Sequence, residues 1–326
     1  MDEKTPIFVL GCARSGTTLV ASLLSQSPQV ANYRAESMLL AGCRQKYGSL
    51  ANNANKRAFS EDWLKSRQFQ RLGISRYDGE KILGRCNSYA ELMQATLSDL
   101  AERQGKSYWL DSTPANVHAL AEIAAFFPKA RIVHIVRDGR AVAASLRKLG
   151  WTGVRTRSEI AAIQFAALKW VQALESYEKD APKLSERIVS LRYEDLIASP
   201  ETEVKRLVDF IGLAHFDLGE AEQADPSGDT ARISANTAFG DVGAGLSTAP
   251  LTRWKKTLSP AEIEAVEAVG ARKLSNYGYE LVASPSGVLA SIASTYRSSL
   301  FRSKSTIKRA LPLRALYSTP LELADY

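Results

Sequence analysis

The sequence is poor in the residues that stabilise small secreted or metal-binding domains. Its 326 residues contain three cysteines, at positions 12, 43 and 86, and three histidines. The cysteines are odd in number and form no Cys-X-X-Cys pair, so neither a disulfide framework nor a zinc site is predicted. We therefore expect a protein of a reducing compartment without a structural metal.

Long hydrophobic runs are absent as well. No uncharged apolar stretch reaches the roughly 18 residues that a membrane-spanning helix requires. The first residues, Met1-Asp2-Glu3-Lys4, lead into a short apolar run without the basic and hydrophobic regions of an export signal. The sequence therefore predicts a cytoplasmic protein that is at most peripherally attached to the inner face of a membrane.

Acidic residues are outnumbered by basic ones. The chain has 35 Asp and Glu against 42 Lys and Arg, which gives a formal net charge of +7. A basic protein suits an anionic partner, and a phosphorylated small molecule accounts for this charge as well as a nucleic acid does. We expect no nucleic-acid partner. The hydrophobic content of 45% is sufficient for a large core.

Short apolar runs alternate with helical patterns along the chain. The predicted strands are residues 7–10, 108–110, 131–136 and 188–191. The predicted helices are residues 17–26, 60–69, 89–104, 114–127, 139–149, 160–180, 200–211 and 260–277. This alternation favours a mostly parallel sheet covered by helices on both faces, with a helical insertion at 36–105 and a long functional loop at 219–253.

The most informative motif is a glycine-rich loop after the first strand, Gly11-Cys12-Ala13-Arg14-Ser15-Gly16-Thr17-Thr18. A strand, such a loop and a helix N-terminus direct several backbone N–H groups at one anion. The loop has the frame of a nucleoside-triphosphate loop, but Thr17 stands where the phosphate-binding lysine belongs. We therefore predict a phosphate site for a ligand without a γ-phosphate, with Arg14 as its cation.

A second anion site is predicted where the strand at 131–136 ends. This strand delivers Arg137 to the carboxyl edge of the sheet, and Ser145 follows about two turns along the next helix. A guanidinium and a hydroxyl together suit a second phosphate. Two alternatives stay open: Asp138 pairs with Arg137 to cap the strand, or Asp138 is a metal ligand, which the flanking Arg137 and Arg140 disfavour.

These two motifs, in this order, resemble those of sulfotransferases that use 3′-phosphoadenosine 5′-phosphosulfate. Residues 11–18 are similar to the family's 5′-phosphosulfate loop, and Arg137 with Ser145 to its 3′-phosphate motif. Two further runs resemble the bacterial branch that is similar to protein-tyrosine sulfotransferases, namely Phe127-Pro128-Lys129-Ala130-Arg131 and Leu191-Arg192-Tyr193-Glu194-Asp195-Leu196. The resemblance covers residues 6–282 and implies a P-loop-like three-layer α/β sandwich over residues 1–282.

The function that the resemblance implies is transfer of a sulfuryl group from that donor to a hydroxyl acceptor, without a metal. The acceptor is a carbohydrate, a lipid or a small molecule. Two other functions stay open on the residues themselves, a P-loop phosphotransferase and a non-catalytic nucleotide-binding protein.

The resemblance also implies roles for individual residues. Glu36 lies within about one residue of the family's catalytic glutamate, and a carboxylate near a sulfonate suits a base because desolvation and like charge raise its pKa. Arg14 would stabilise charge on the bridging oxygen as the sulfuryl group leaves. Further contacts to the nucleotide are implied for Tyr193, Arg232, Ser234, Arg253 and Lys255.

One position departs from the family. A lysine usually lies just before the Thr-Pro or Asp-Pro of the second strand-helix turn, whereas the run here is Leu110-Asp111-Ser112-Thr113-Pro114. Three alternatives follow: Arg140 or Arg147 replaces the lysine, the activity is modest, or Asp111 takes part in acceptor chemistry. Among the histidines, His118 is the alternative base, although a surface or packing role is favoured for it. His134 is expected in the core, and His215 lies late in the chain, away from both motifs.

Residues 283–326 are predicted to form a basic helical extension. The segment 294–316 carries six basic and no acidic residues, interleaved with apolar side chains. This pattern is typical of an amphipathic helix that contacts an anionic membrane or packs on the core or on a second subunit, as in a homodimer.

Overall fold

The computed structural model describes residues 4–31, 33–152, 156–214 and 248–283. The strands of this part are β1 (Thr5–Gly11), β2 (Val30–Ala31), β3 (Tyr108–Asp111), β4 (Arg131–Val136) and β5 (Ile188–Arg192). They form one five-stranded sheet in the order β2-β3-β1-β4-β5. All four pairings are parallel, so the carboxyl ends of the strands meet at one edge of the sheet.

The α-helices of the described residues include α1 (Thr17–Leu24), α2 (Arg44–Tyr47), α3 (Asn53–Trp63), α4 (Arg67–Gln70), α5 (Arg76–Arg85), α6 (Tyr89–Arg103), α7 (Leu120–Phe126), α8 (Gly139–Lys148), α9 (Glu159–Asp180), α10 (Tyr193–Ala198), α11 (Pro200–Ile211), α12 (Ala249–Thr257) and α13 (Pro260–Asn276). A π-helical turn spans Leu39–Cys43, and 3₁₀ turns span Pro114–Ala119 and Ala181–Arg187. None of the helices described is long and apolar enough to cross a membrane.

The two faces of β1 point into different cores. Ile7 and Val9 pack in a cluster with side chains of α1 and α11, whereas Phe8 and Leu10 pack in a cluster with α6, α8 and α9. Successive side chains of a strand point to opposite faces, so a strand buried on both faces reads as a continuous apolar run. The expected three-layer α/β architecture with a parallel sheet is confirmed.

Some predicted elements differ in the structure. The short edge strand β2 was not predicted, because two residues give no periodicity. The helix predicted at 60–69 is two helices, since the Ser66 hydroxyl accepts a hydrogen bond from the Phe69 amide at 3.1 Å and starts α4. The helix predicted at 114–127 begins as a 3₁₀ turn, and the loop predicted to reach 253 ends earlier, where α12 begins.

The helical insertion has its own aromatic packing. Phe59 and Trp63 of α3 stack at 5.6 Å, and Phe69 and Tyr89 meet them edge-on at 4.9 and 5.3 Å. Their burial fixes α3 and α4 against α6, whose inner face packs on the sheet. The three cysteines are buried and free. The extension at 284–326 lies outside the described residues.

Candidate active site

The glycine-rich loop joins the end of β1 to α1, and two glycines make its path possible. A Cβ at Gly11 would lie 2.3 Å from the Ile135 carbonyl oxygen of β4, and a Cβ at Gly16 would lie 2.6 Å from the Tyr193 ring. Gly16 also has a φ of 108°, which side-chain-bearing residues rarely adopt. The close approach of these backbones places the first turn of α1 at the carboxyl edge of the sheet.

The loop has the properties of an anion cradle. The first turn of α1 carries no acidic residue, so its N–H groups and dipole are not neutralised by a side chain. Ser15 is fully buried, and its hydroxyl has no hydrogen-bond partner among the described residues. A buried hydroxyl without a partner is costly, and a bound phosphate oxygen would satisfy it.

The two phosphate motifs meet through Arg14. Its Nε donates to the Ser145 hydroxyl at 3.0 Å, and an Arg137 Nη donates to the Arg14 carbonyl oxygen at 3.3 Å. Arg14 itself has a left-handed φ of 72°, an uncommon conformation for a residue other than glycine. Residues separated by more than 120 positions in the chain are therefore in direct contact at this edge of the sheet.

The positive charges of this site repel each other. Burial and the charge of Arg137 lower the pKa of Arg14. In the part of the chain that the structure describes, Arg137 forms no ion pair, and its buried Nε has no hydrogen-bond partner. Its other nitrogens are held by carbonyl oxygens, including that of Pro250 at 2.9 Å. Two close guanidiniums favour a bound anion.

Tyr193 contributes an aromatic ring that packs against Arg137. It begins α10 directly after β5. Its buried ring lies 4.2 Å from the Arg137 guanidinium. Burial raises the pKa of Tyr193, while the charges of Arg137, Arg253 and Arg14 oppose the rise, so Arg253 is within electrostatic range.

For the remaining predicted nucleotide contacts the structure gives little. Lys255 is exposed and lies 5.6 Å from the Trp254 ring. Arg232, Ser234 and His215 lie outside the described residues. Thr17 and Thr18 form the first turn of α1, with Thr17 buried and Thr18 exposed.

Glu36 lies beside the glycine-rich loop. Burial and the negative charge of Asp111 raise the pKa of Glu36 to about 8, and the nearby Arg14 opposes the rise. Two residues of its loop, Arg34 and Met38, have left-handed φ angles of 48° and 58°. Strained backbone of this kind persists where the surrounding structure fixes it, and it clusters at functional sites.

Asp111, at the end of β3, fixes this loop and was not predicted to do so. It is fully buried, and its Oδ1 accepts hydrogen bonds from the Ser37 amide at 2.9 Å and the Thr113 hydroxyl at 3.1 Å. Its Oδ2 accepts from Asn116 Nδ2 at 2.7 Å and the Thr113 amide at 3.3 Å. The sequence signal was an acidic residue directly after a buried strand.

The expectation that Arg140 or Arg147 replaces the missing lysine is wrong. Arg140 is buried in ion pairs with Asp138 at 2.8 Å and Glu267 at 2.6 Å. Arg147 is paired with Glu262 of α13. Asp138 also caps α8 through the Arg140 amide, so it neither pairs with Arg137 nor is available to a metal. Among the described residues no cluster of three His, Cys, Asp or Glu side chains is placed to hold a metal ion.

Two of the histidines are packing residues. His134 is fully buried, its Nδ1 lies 3.0 Å from the Ser190 hydroxyl and its ring stacks on Tyr177 at 3.7 Å. His118 Nδ1 lies 2.7 Å from the Ser176 hydroxyl. Burial lowers the pKa of His118 to about 4 and that of His134 to about 3. Both imidazoles are therefore weaker bases than an exposed histidine.

The family model described as "Sulfotransferase family" matches residues 6–217 of the chain. The chain belongs to the sulfotransferase family. It is 23% identical over 286 residues to protein-tyrosine sulfotransferase 1 of Danio rerio, with 86% of this chain and 73% of that protein covered. It is 25% identical over 299 residues to nodulation protein NoeE of Sinorhizobium fredii, with 84% and 65% covered.

Solved sulfotransferase structures share the fold. The sulfotransferase domain from the curacin biosynthetic pathway superposes with a TM-score of 0.59 at 17% identity, covering 86% of this chain and 99% of that one. The predicted family and its enzymatic activity, sulfuryl transfer, are thus confirmed. The family uses 3′-phosphoadenosine 5′-phosphosulfate as its co-substrate.

Proposed function

We propose that this sulfotransferase moves the sulfuryl group of 3′-phosphoadenosine 5′-phosphosulfate to a hydroxyl acceptor in one in-line step, with Glu36 as general base. The observation that supports it best is the hydrogen bond from Arg14 to Ser145, which joins the loop for the 5′-phosphosulfate to the site for the 3′-phosphate. A donor with two separate anionic groups requires two adjacent anion sites, whereas a nucleoside triphosphate requires one.

The residues that bind the donor divide into two sets. The loop amides from Gly11 to Thr18, the Ser15 hydroxyl and Arg14 hold the 5′-phosphosulfate. Arg137 and Ser145 hold the 3′-phosphate, together with the late residues Tyr193, Arg232, Ser234, Arg253 and Lys255 as further contacts. The partnerless Ser15 hydroxyl and Arg137 Nε support this assignment, because each requires an acceptor in a buried place.

Different groups of the protein act in different parts of the sulfuryl transfer. The donor, when bound, supplies an activated sulfuryl group. Glu36 accepts the proton of the acceptor hydroxyl, and its raised pKa makes it an effective base near neutral pH. Arg14 and the amides at the N-terminus of α1 stabilise the negative charge that develops on the bridging oxygen. No metal ligand takes part in these steps.

The acceptor is a carbohydrate, a lipid or a small molecule, and we place the enzyme in the cytoplasm. A lipid-linked acceptor at the inner face of a membrane agrees with the basic segment 294–316, which would contact anionic headgroups. That segment would equally suit the interface of a homodimer.

Ligand-dependent thermal shifts test the donor class. The purified protein should be stabilised by 3′,5′-bisphosphoadenosine and not by ATP with magnesium, since a ligand that binds only the folded state raises the melting temperature. Stabilisation by ATP and magnesium alone would support a P-loop phosphotransferase instead. Bisphosphate binding without transfer of labelled sulfate to a broad panel of hydroxyl compounds would indicate a non-catalytic nucleotide-binding protein.

A further inference from the structure

We propose that Asp111 is a positioning residue for the base: its buried carboxylate fastens the loop of Glu36 to the end of β3 and thereby holds a negative charge near Glu36. The inference rests on the proposed role of Glu36. It concerns a residue that lies on a different element, 75 positions further along the chain.

The loop of Glu36 requires fastening because its backbone is strained. Arg34 and Met38, on either side of Glu36, hold left-handed conformations that are unfavourable for residues other than glycine. Two hydrogen bonds from the loop backbone oppose this strain. The Ser37 amide donates to Asp111 at 2.9 Å, and the Met38 amide donates to the Thr113 hydroxyl at 3.2 Å.

The hydrogen bonds of this cluster have a single direction. The Met38 amide donates to the Thr113 hydroxyl, which in turn donates to Asp111 Oδ1. The Asn116 amide group and the Thr113 amide donate to Oδ2. All four groups within reach of Asp111 are therefore donors. An ionised carboxylate, which only accepts, fits this arrangement, and a protonated one would place its O–H against a donor.

In the described structure, the Glu36 carboxylate lacks the hydrogen-bond donors that surround Asp111. Among the described residues, none donates a hydrogen bond to the Glu36 carboxylate, and the charged groups that act on it are Asp111 of β3 and Arg14 of the glycine-rich loop. Burial raises the pKa of Asp111 as well, and the hydrogen bonds from Ser37 and Thr113 oppose that rise. Because Asp111 has hydrogen-bond donors and Glu36 has none among the described residues, we expect the two carboxyl groups to titrate apart, with Asp111 ionising first.

Arg14 is the cation that opposes the effect of Asp111 on Glu36. Asp111 therefore contributes through Glu36 and not by contact with the acceptor, since its carboxylate is fully buried.

The test is the titration of Glu36 in the Asp111→Asn variant. The asparagine keeps an oxygen for the Ser37 amide and removes the charge. Carbon-13 NMR of side-chain carboxyl groups, with the Glu36 resonance assigned by its loss in Glu36→Gln, should show the midpoint of Glu36 moving down by about one pH unit or more. The acid limb of the pH profile of kcat should move in the same direction, with the Kd for bisphosphoadenosine unchanged.

An unchanged Glu36 midpoint in Asp111→Asn would overturn the proposal, and a uniformly lower kcat with an unmoved acid limb would reduce Asp111 to a structural residue. The wild-type protein provides a check that needs no folded variant. There the Asp111 carboxyl should titrate below Glu36, and the reverse order would also overturn the proposal. If Glu36→Gln keeps full turnover, the proposed base is wrong, while the NMR coupling between the two carboxyl groups can still hold.

Discussion

The two sides of the active site use opposite charges but follow the same design. The donor side comprises residues 11–18, Arg137, Ser145 and Tyr193; the base side comprises Glu36, Asp111, Thr113 and Asn116. On the donor side Arg137 forms no ion pair in the described structure, whereas Arg140, three residues further on, is paired with two carboxylates. On the base side Glu36 has no recorded donor among the described residues, whereas Asp111 has four.

On each side, two residues of the same chemical type have different roles. Arg140 and Asp111, whose charges and hydrogen bonds are satisfied, hold the backbone in place. Arg137 and Glu36, which the fold leaves unsatisfied, gain most from a ligand or a proton. A substitution of the unsatisfied group should therefore change binding or turnover while the stability of the protein changes little.

The largest effect is expected for Glu36→Gln. The amide cannot accept the proton of the acceptor hydroxyl, so kcat should fall roughly 10²- to 10⁴-fold. Because Glu36 belongs to the base side, the Kd for bisphosphoadenosine and the melting temperature should stay close to those of the wild type. Steady-state sulfate transfer and calorimetric titration measure these quantities. Glu80→Gln, an exposed substitution on α5, is the matched control; a wild-type kcat in Glu36→Gln would move the role of base to another group.

The two sides also differ in how far the sequence predicts them. The positions of the donor-side residues followed from the sequence, because these residues lie in short motifs at the ends of β1 and β4, and parallel strands bring those ends to one edge. Their role in binding the donor stays a prediction. Strands buried on both faces, such as Arg131–Val136, were predicted within a residue or two, since continuous apolar runs mark them.

For the base side, the sequence indicated Glu36, through the family resemblance, but not the residues that hold its loop in place. The role of Asp111 depends on amides and hydroxyls whose positions follow from the left-handed turns at Arg34 and Met38. Neither residue is a glycine, so the sequence carries no signal of these turns. The pairing of Arg140 with Glu267 was missed for a similar reason, because it joins α8 to α13, which is 127 positions further along the chain.

A smaller effect is expected for Arg137→Ala, and it should fall on binding. Loss of a charge-assisted contact to the 3′-phosphate should weaken bisphosphoadenosine by about 1.5–3 kcal/mol, or roughly 10- to 100-fold in Kd. Calorimetric titration measures the change, with Arg76→Ala on the exposed face of α5 as the control. Affinity for adenosine 5′-phosphosulfate, which has no 3′-phosphate, should be unaffected. An unchanged Kd for the bisphosphate would show that Arg137 does not hold the 3′-phosphate.

The smallest effect is expected for Ser145→Ala. Its hydroxyl is neutral and accepts a hydrogen bond from Arg14, so its loss should cost about 0.5–1.5 kcal/mol of bisphosphate affinity. A double-mutant cycle with Arg137→Ala sharpens the comparison, because two residues that hold one phosphate should be coupled by about 0.5 kcal/mol or more. An unchanged Kd in Ser145→Ala, together with a lower kcat, would mean that Ser145 acts only by orienting Arg14.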